Sequence, residues 1–292
     1  YIAPINARNR VGGSYIRLKQ RLGREVGDSE IKGIGDIFNL FYTYTLFNTQ
    51  NFTMNISPAF TYKDIDNEVL NVITSEDNIR MAKLGFDIDY TDPFNGRSIV
   101  TQEFDLGFKD FMGGTNGSGY LSSRNGADGD FFKSVTNFAR VQALPADLSL
   151  MAKGTIQLSN DSLPSAEQIF IGGPLTVRGY PVSEYGGDSG YQTALELYVP
   201  PYGIPKDWQI PMTESYWYDA IRFMFFFDWG LVNTNDPQIG ETVQDDIYSF
   251  GPAFRFNIPN RLSVSLDLGV QLGQDSSDGS DRHGYLEVKL YF

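Results

Sequence analysis

A period of two, held over segments of roughly 9 to 12 residues, limits this chain more than any other feature of it. From Leu262 the alternation is clean. Leu262, Val264, Leu266, Leu268, Val270 and Leu272 point one way, and Ser263, Ser265, Asp267, Gly269 and Gln271 the other. The same pattern recurs at 148–158, with Leu148, Leu150, Ala152, Ile156 and Leu158 on one face, and at 80–90, with Ala82, Leu84, Phe86, Ile88 and Tyr90. Strands of soluble sandwiches run to about five or six residues, whereas a tilted strand that crosses a bilayer needs about 9 to 11. No apolar run reaches the roughly 18 residues of a membrane-crossing helix, so the expected class is all-β.

About twelve such segments follow one another, near 11–22, 36–47, 52–62, 79–90, 98–109, 131–143, 148–158, 192–200, 221–231, 247–257, 262–273 and 284–292. The connections 48–51, 91–97, 144–147 and 258–261 are short, while 23–35, 63–78, 110–130, 159–191, 232–246 and 274–283 are long. This asymmetry predicts a transmembrane antiparallel β-barrel of about 12 strands, a single domain over 1–292 with both termini periplasmic. The segment 201–220 sits where a short turn is due, and its Trp208, Trp217, Tyr216 and Tyr218 suit either a membrane interface or ordinary loop packing. Pro58 and Pro252 fall inside strands, so a bulge is expected at each. In the first strand, Ile16, Leu18 and Leu22 are expected to face lipid, interrupted by Ser14 and Gln20, with Arg17, Lys19 and Arg21 inward. It is the least apolar strand, hence a candidate weak seam.

Composition narrows the function. The net charge of -13 offers no concentrated basic face, so no nucleic-acid partner is expected. The absence of cysteine excludes disulfides and cysteine-held zinc, and suits passage through an oxidising periplasm. Tyr1 follows no basic, apolar leader, and the sequence reads as already processed. Gly113–Gly119 lacks the Lys-Ser/Thr of a phosphate loop, Asp275, Asp278 and Asp281 lack calcium-loop spacing, and His283, the lone histidine, has no zinc or triad context. Asp245 and Asp246 read as a loop pair. No enzyme activity, cofactor or metal is expected.

The residues that carry a name lie in the connection 159–191. Gly172 and Gly173 with Pro174, followed by Val177, Arg178, Gly179 and Tyr180, resemble the VRGF/Y motif of the superfamily that includes BamA, TamA and the two-partner-secretion transporters, also called the outer membrane protein 85 superfamily. The motif stands on the third long loop from the end, as it does there. Phe226, Asp228 and Gly230 match that family's Phe-x-Asp-x-Gly strand, and the terminal Phe292 resembles its C-terminal assembly signal. Residues 88–96 resemble the family's acidic periplasmic turn, with Tyr-Thr-Asp where relatives often have Thr-Arg-Asp.

The resemblance implies that 159–191 folds into the lumen. Alternation independently turns Glu196 and Asp228 inward on adjacent strands, where the planar fork of Arg178 can bond both. It further implies a Gram-negative outer-membrane location, contact with outer-membrane lipid and lipopolysaccharide, assembly by the barrel assembly machinery, and a polypeptide substrate. Members carry periplasmic POTRA modules and sixteen strands; this sequence shows no POTRA-like region and room for about twelve. The expected function is insertion or translocation of protein or lipid at a lateral seam beside a loop-filled lumen. The alternative is a structural or small-pore barrel, joined as a homodimer, without translocase activity.

Overall fold

The computed structural model describes residues 1–22, 31–116 and 121–291. Phe292 and Gly117–Gly119 of the glycine-rich stretch lie outside the described residues. The chain forms one antiparallel sheet whose order is, with a single interruption, the order of the sequence. A short β1 (Ile2–Pro4) leads into β2 (Asn9–Leu22), β3 (Ile31–Asn48), β4 (Phe52–Val69), β5 (Val72–Thr91), β6 (Gly96–Gly107), β7 (Phe132–Ala143) and β8 (Ser149–Ser159). A small separate hairpin, β9 (Ile169–Ile171) and β10 (Tyr185–Gly187), lies within the next connection. The sheet then resumes with β11 (Ser189–Val199), β12 (Ile221–Asn233), β13 (Gln244–Ile258), β14 (Leu262–Gln271) and β15 (Arg282–Leu290). Helix is confined, among the described residues, to one turn of α1 (Trp217–Ala220) and two 3-10 turns.

The sheet has thirteen strands rather than twelve, because β1 pairs with β2 through Ile2↔Gly12 to Pro4↔Arg10. Three residues are too few for alternation to show. A larger departure concerns 63–78, expected as a loop. It is strand: β4 and β5 run on to a two-residue turn at Leu70 and Asn71, whose φ of 53° and 63° give the twist that a tight hairpin requires. Strands of 18 to 20 residues exceed the 9 to 11 of a bilayer crossing. The excess has no continuous apolar face, since Asp64, Asp66, Glu68, Glu76 and Asp77 interrupt it, and so it shows no clean apolar alternation.

Neither proline makes a bulge. The register of β3 with β4 is the same on both sides of Pro58, and that of β13 with β14 on both sides of Pro252; the ladders lack only the bridges there. A missing N–H removes a bond without demanding an extra residue. The register shifts that do occur lie between Thr45 and Phe47 and between Asn67 and Glu68.

The first strand is inverted relative to expectation. Ile16 pairs with Ile37, which pairs with Lys63, and Ser14 with Asn39, which pairs with Thr61, so Ile16 and Ser14 share a face with Lys63, which reaches Glu167 in the long connection 160–188. Tyr15 and Arg17 turn outward. Tyr15 packs on Phe38 and donates to Asp36 at 2.6 Å, and Arg17 lies 3.7 Å from the same carboxylate. Tallying aliphatic residues favoured Ile16; the partner strand offers the aromatic and the acid to the odd positions.

Packing is inside out relative to a soluble protein. On β12, Phe223, Phe225, Phe227 and Trp229 are exposed, while Met224, Phe226, Asp228 and Val232 are buried on the opposite face. Two buried apolar clusters form where loops meet that inner face: Ile171, Val177, Tyr180, Val232 and Ile247 in one, Ile79, Met81, Phe131 and Leu163 in another. Apart from 200–220, connections at one end of the sheet are short, and both termini lie at that end. No ladder joins β15 to β2 among the described residues.

Candidate functional site

The connection 160–188 leaves the end of β8, folds onto the inner face and returns to β11. Its turn is closed by Gly173, whose N–H donates to Val177 O at 3.2 Å, and by the Thr176 hydroxyl on Gly172 O at 2.7 Å. Both Gly172 and Gly173 have positive φ, a conformation that side chains resist. Val177 and Tyr180 are wholly buried beside Ile171 and Val232, and Gly230 leaves the space that Ile171 and Val177 fill. The turn is thereby held so that Arg178 points at β11 to β14.

Arg178 is 4% exposed, Glu196 1% and Asp228 0%. The Arg178 Nε donates to Asp228 Oδ2 and Nη2 to Oδ1, both at 2.7 Å, which is the two-pronged geometry that matches a guanidinium to a carboxylate. The Arg178 backbone N–H adds a third bond to Asp228 at 3.0 Å. Nη2 also donates to Glu196 Oε1 at 2.9 Å, and the guanidinium lies 3.6 Å above the Phe226 ring, so the cation is enclosed by two acids and an aromatic face. Asp228 has no other strong donor among the described residues.

Alternation alone does not bring four further participants to the site. Asp267 on β14 accepts from Arg178 Nη1 at 3.4 Å and from Arg255 Nη2 at 2.7 Å. Lys153 of β8 lies 3.1 Å from Glu196, whose other oxygen accepts from the Tyr198 hydroxyl at 2.6 Å. Asp267 stands on the polar face already read from Leu262–Leu272, but β13 separates it from Asp228, and only the reach of the loop brings them together.

Beyond the arginine the chain is held by its backbone. Gly179 has φ of 95°, and its carbonyl accepts from Gln271 Nε2 at 2.6 Å and faces His283 Nδ1 at 2.7 Å. A Cβ on the facing Gly269 would fall 2.4 Å from Gly179 N, so the two backbones touch only because both residues are glycine. Tyr285 donates to Tyr180 O at 2.9 Å. His283, which has no zinc or triad context in the sequence, is thus one of the groups that hold the motif.

Two further anchors hold the ends of the same connection. Glu167 is buried between Lys63 at 2.6 Å and Lys133, with Lys133 also 3.7 Å from Asp105. Asp188, fully buried, accepts from Arg124 at 2.9 Å through each oxygen, from Leu163 N at 2.8 Å and from Asn235 N at 2.7 Å. Nothing in local sequence marks either residue, since their partners lie on other loops and distant strands.

A sheet that shows its apolar residues outward and holds a long loop on its inner face by a buried arginine defines a class: the outer-membrane β-barrels of the BamA and two-partner-secretion superfamily, whose business is protein transport. Within that class, the chain belongs to the haemolysin secretion/activation protein family ShlB/FhaC/HecB, whose model matches residues 6–251. Its structure is similar to that of CdiB from Escherichia coli, with a TM-score of 0.73 at 15% identity over 96% of this chain and 49% of that one. CdiB from Acinetobacter baumannii gives 0.74 at 14%, over 97% and 48%. BamA from Haemophilus ducreyi lacking POTRA domains 1-3 gives 0.59 at 14%, over 96% and 59%. The chain therefore spans about half the length of the CdiB structures. At such identities the likeness is one of fold. A comparison with curated proteins returns no match.

Proposed function

We propose that this chain is a barrel in the outer membrane of a Gram-negative bacterium that carries a polypeptide across, or inserts it into, that membrane along the part of the inner face that the arginine-held loop leaves free. In this reading residues 1–292 act as one barrel domain, the short turns and both termini lie in the periplasm, and 159–191 is the lumen-folded loop. The observation that carries it is the division of the inner face. The arginine turn is held against β8 and β11–β14 and the start of the loop against β4, β5 and β7 through Glu167 and Leu163, while Ser14, Asn39, Ser57, Thr61, Lys83 and Glu103, with Ile16, Ile37 and Phe41 among them, border a cavity of about 370 Å³ on β2–β6. A wall in which hydroxyls, an amide and charges interrupt the apolar side chains suits an unfolded chain, which carries its own backbone donors and acceptors as well as apolar side chains.

The edges supply the second part of the reading. β15 exposes both its faces at Leu286, Glu287, Val288 and Lys289, and β2 does so from Ser14 to Gln20, so closure between them is a seam weaker than the continuous ladders elsewhere. The same edges also fit a structural homodimer, and a cross-link between β2 and β15 of one chain against one between copies separates the two.

The direct test refolds the chain into liposomes and times the insertion of an unfolded reporter barrel, with Arg178→Lys and empty liposomes alongside. Acceleration by the wild type that is reduced in Arg178→Lys is the expected result, because lysine keeps the charge and loses the fork. No acceleration over empty liposomes would leave the barrel a structural or pore protein.

A further inference from the structure

The connection 200–220 is folded, not slack. Gln209 bridges Tyr216, the Trp217 N–H donates to Trp208 O at 3.0 Å, and the Tyr218 hydroxyl donates at 2.9 Å to Asp147 of the neighbouring turn, which also holds Lys206 at 2.5 Å. Ile210, Tyr218 and Ala220 are buried beneath it. Its aromatic side points in a definite direction. Trp217 stacks on Phe256 with centroids 5.9 Å apart, and Phe256 pairs with Ile221 and Val264 on the outward face of the sheet. Trp208, 58% exposed, lies 6.1 Å beyond Trp217. The outward aromatic column of Phe223 and Phe254 is therefore continued past the end of the strands by two tryptophans, at the level where such rings settle in a bilayer.

Beside this column lies a cavity of about 660 Å³, between residues 212–215 and the β13–β14 turn at 258–261. Its lining mixes Met212, 90% exposed, and the outward Ile258 with Thr213, Ser215, Glu214 and Arg261. Neither Glu214 nor Arg261 has an ion-pair partner among the described residues. A cation and an anion around one polar cavity, next to an exposed methionine and an aromatic column, match an amphiphile with both charges in its head. The geometry points to an interfacial phospholipid site: the phosphate of a zwitterionic amine-phosphate headgroup meets Arg261, its ammonium meets Glu214, and the acyl chains descend along Phe256 and Phe254. This site is distinct from the arginine-held loop and shares with the proposed function only the premise that the outward face meets lipid.

The experiment uses the full chain refolded in detergent micelles with two single-tryptophan forms, Trp217→Phe/Trp229→Phe, which keeps Trp208, and Trp208→Phe/Trp217→Phe, which keeps Trp229. Phosphatidylethanolamine brominated near the headgroup is titrated in, with brominated phosphatidylglycerol as the comparison. Saturable quenching of Trp208 by phosphatidylethanolamine, with half-saturation raised about five-fold by Arg261→Gln, is expected. Glu214→Gln should erase the preference over phosphatidylglycerol. Identical titrations in wild type and Arg261→Gln would overturn the site, as would a Trp208 quenched by aqueous iodide and untouched by brominated lipid. Trp229, on the outward face of β12, reports separately in liposomes: if deep-brominated lipid fails to quench it, the membrane-spanning reading itself has failed.

Discussion

The inner face of this sheet is two different surfaces made by one alternation. Against β8 and β11–β14, the inward residues include Glu196, Asp228 and Asp267, buried acids that cost several kcal/mol apiece unless partnered, and the chain supplies Arg178 from a connection far longer than closing the gap demands. Along the middle of β2–β5, the inward residues include, between apolar ones such as Ile37 and Phe41, hydroxyls and amides that bond one another: Thr61 donates to Asn39 at 3.0 Å, Ser57 to Thr43 at 3.1 Å and Thr45 to Asn55 at 2.8 Å. The first surface is filled by the arginine turn; the second meets the loop at Lys63, Ile79 and Met81 and is otherwise uncovered. The difference teaches that the side chains of each strand decide where the inner face is covered and where it stays open.

The sharpest way to break the contrast is to strand the cation. Asp228→Ala removes three of the bonds to Arg178 and leaves a buried guanidinium short of charge; the expected loss is about 3 to 5 kcal/mol, read from urea unfolding of the liposome-embedded protein. Arg178→Ala/Asp228→Ala together should cost no more than Asp228→Ala alone, because the pair acts as one unit. If the two single losses simply add, the residues are not coupled.

Next is a backbone test on the same side. Gly269→Ala places a methyl 2.4 Å from Gly179 N and 2.6 Å from Arg178 C, so the loop must shift or β14 bend, at about 1 to 3 kcal/mol. Protease sensitivity of 172–188 should rise with it. An unchanged digestion pattern would mean that the close backbone approach is not what seats the motif.

On the open side the expected effects part company. Ser57→Trp puts a large ring into the cavity beside Thr61 and Lys83, where no packed neighbour resists it; stability should stay within about 0.5 kcal/mol while passage of a polypeptide falls. A stability loss as large as that of Asp228→Ala would show this wall to be packed in the way the other is, and the contrast would be gone.

How much of this could be read beforehand follows from where water stands. Within the bilayer span the two faces of a strand meet different solvents, so Leu195 and Glu196, or Phe227 and Asp228, announce their directions in the sequence. Past that span they do not: 63–78 is strand without a continuous apolar face, and β2 turns Ile16 inward and Tyr15 outward, against its count of aliphatic residues. The motif at Arg178 and its two nearest acids were legible because the fork chemistry and alternation meet at those positions. Asp267, Glu167 and Asp188 were not, since each finds its partners through a fold of the loops: Asp188 needs Arg124 from one connection and Asn235 from another.

The smallest expected effect sharpens the boundary of the held side at its outer rim. Asp278, in the β14–β15 connection, accepts from the Ser276 hydroxyl at 2.7 Å and the Ser280 N–H at 3.0 Å, with His283 Nε2 at 2.9 Å; these bonds hold its carboxyl down at about 2. A depressed carboxyl contributes order above its unfolded value of about 3.9 and loses that contribution as pH falls toward the folded value. The connection 272–281 should therefore loosen between about pH 4 and 2, seen as faster amide exchange there, while Asp278→Asn gives exchange at pH 4 that acidification raises no further. Since His283 also faces the Gly179 carbonyl, the Asp278→Asn change should carry a small increase in exchange to residues 178–180 and none to β3 or β4. Equal loosening on both sides of the sheet would mean that the rim contact is not local to the held loop.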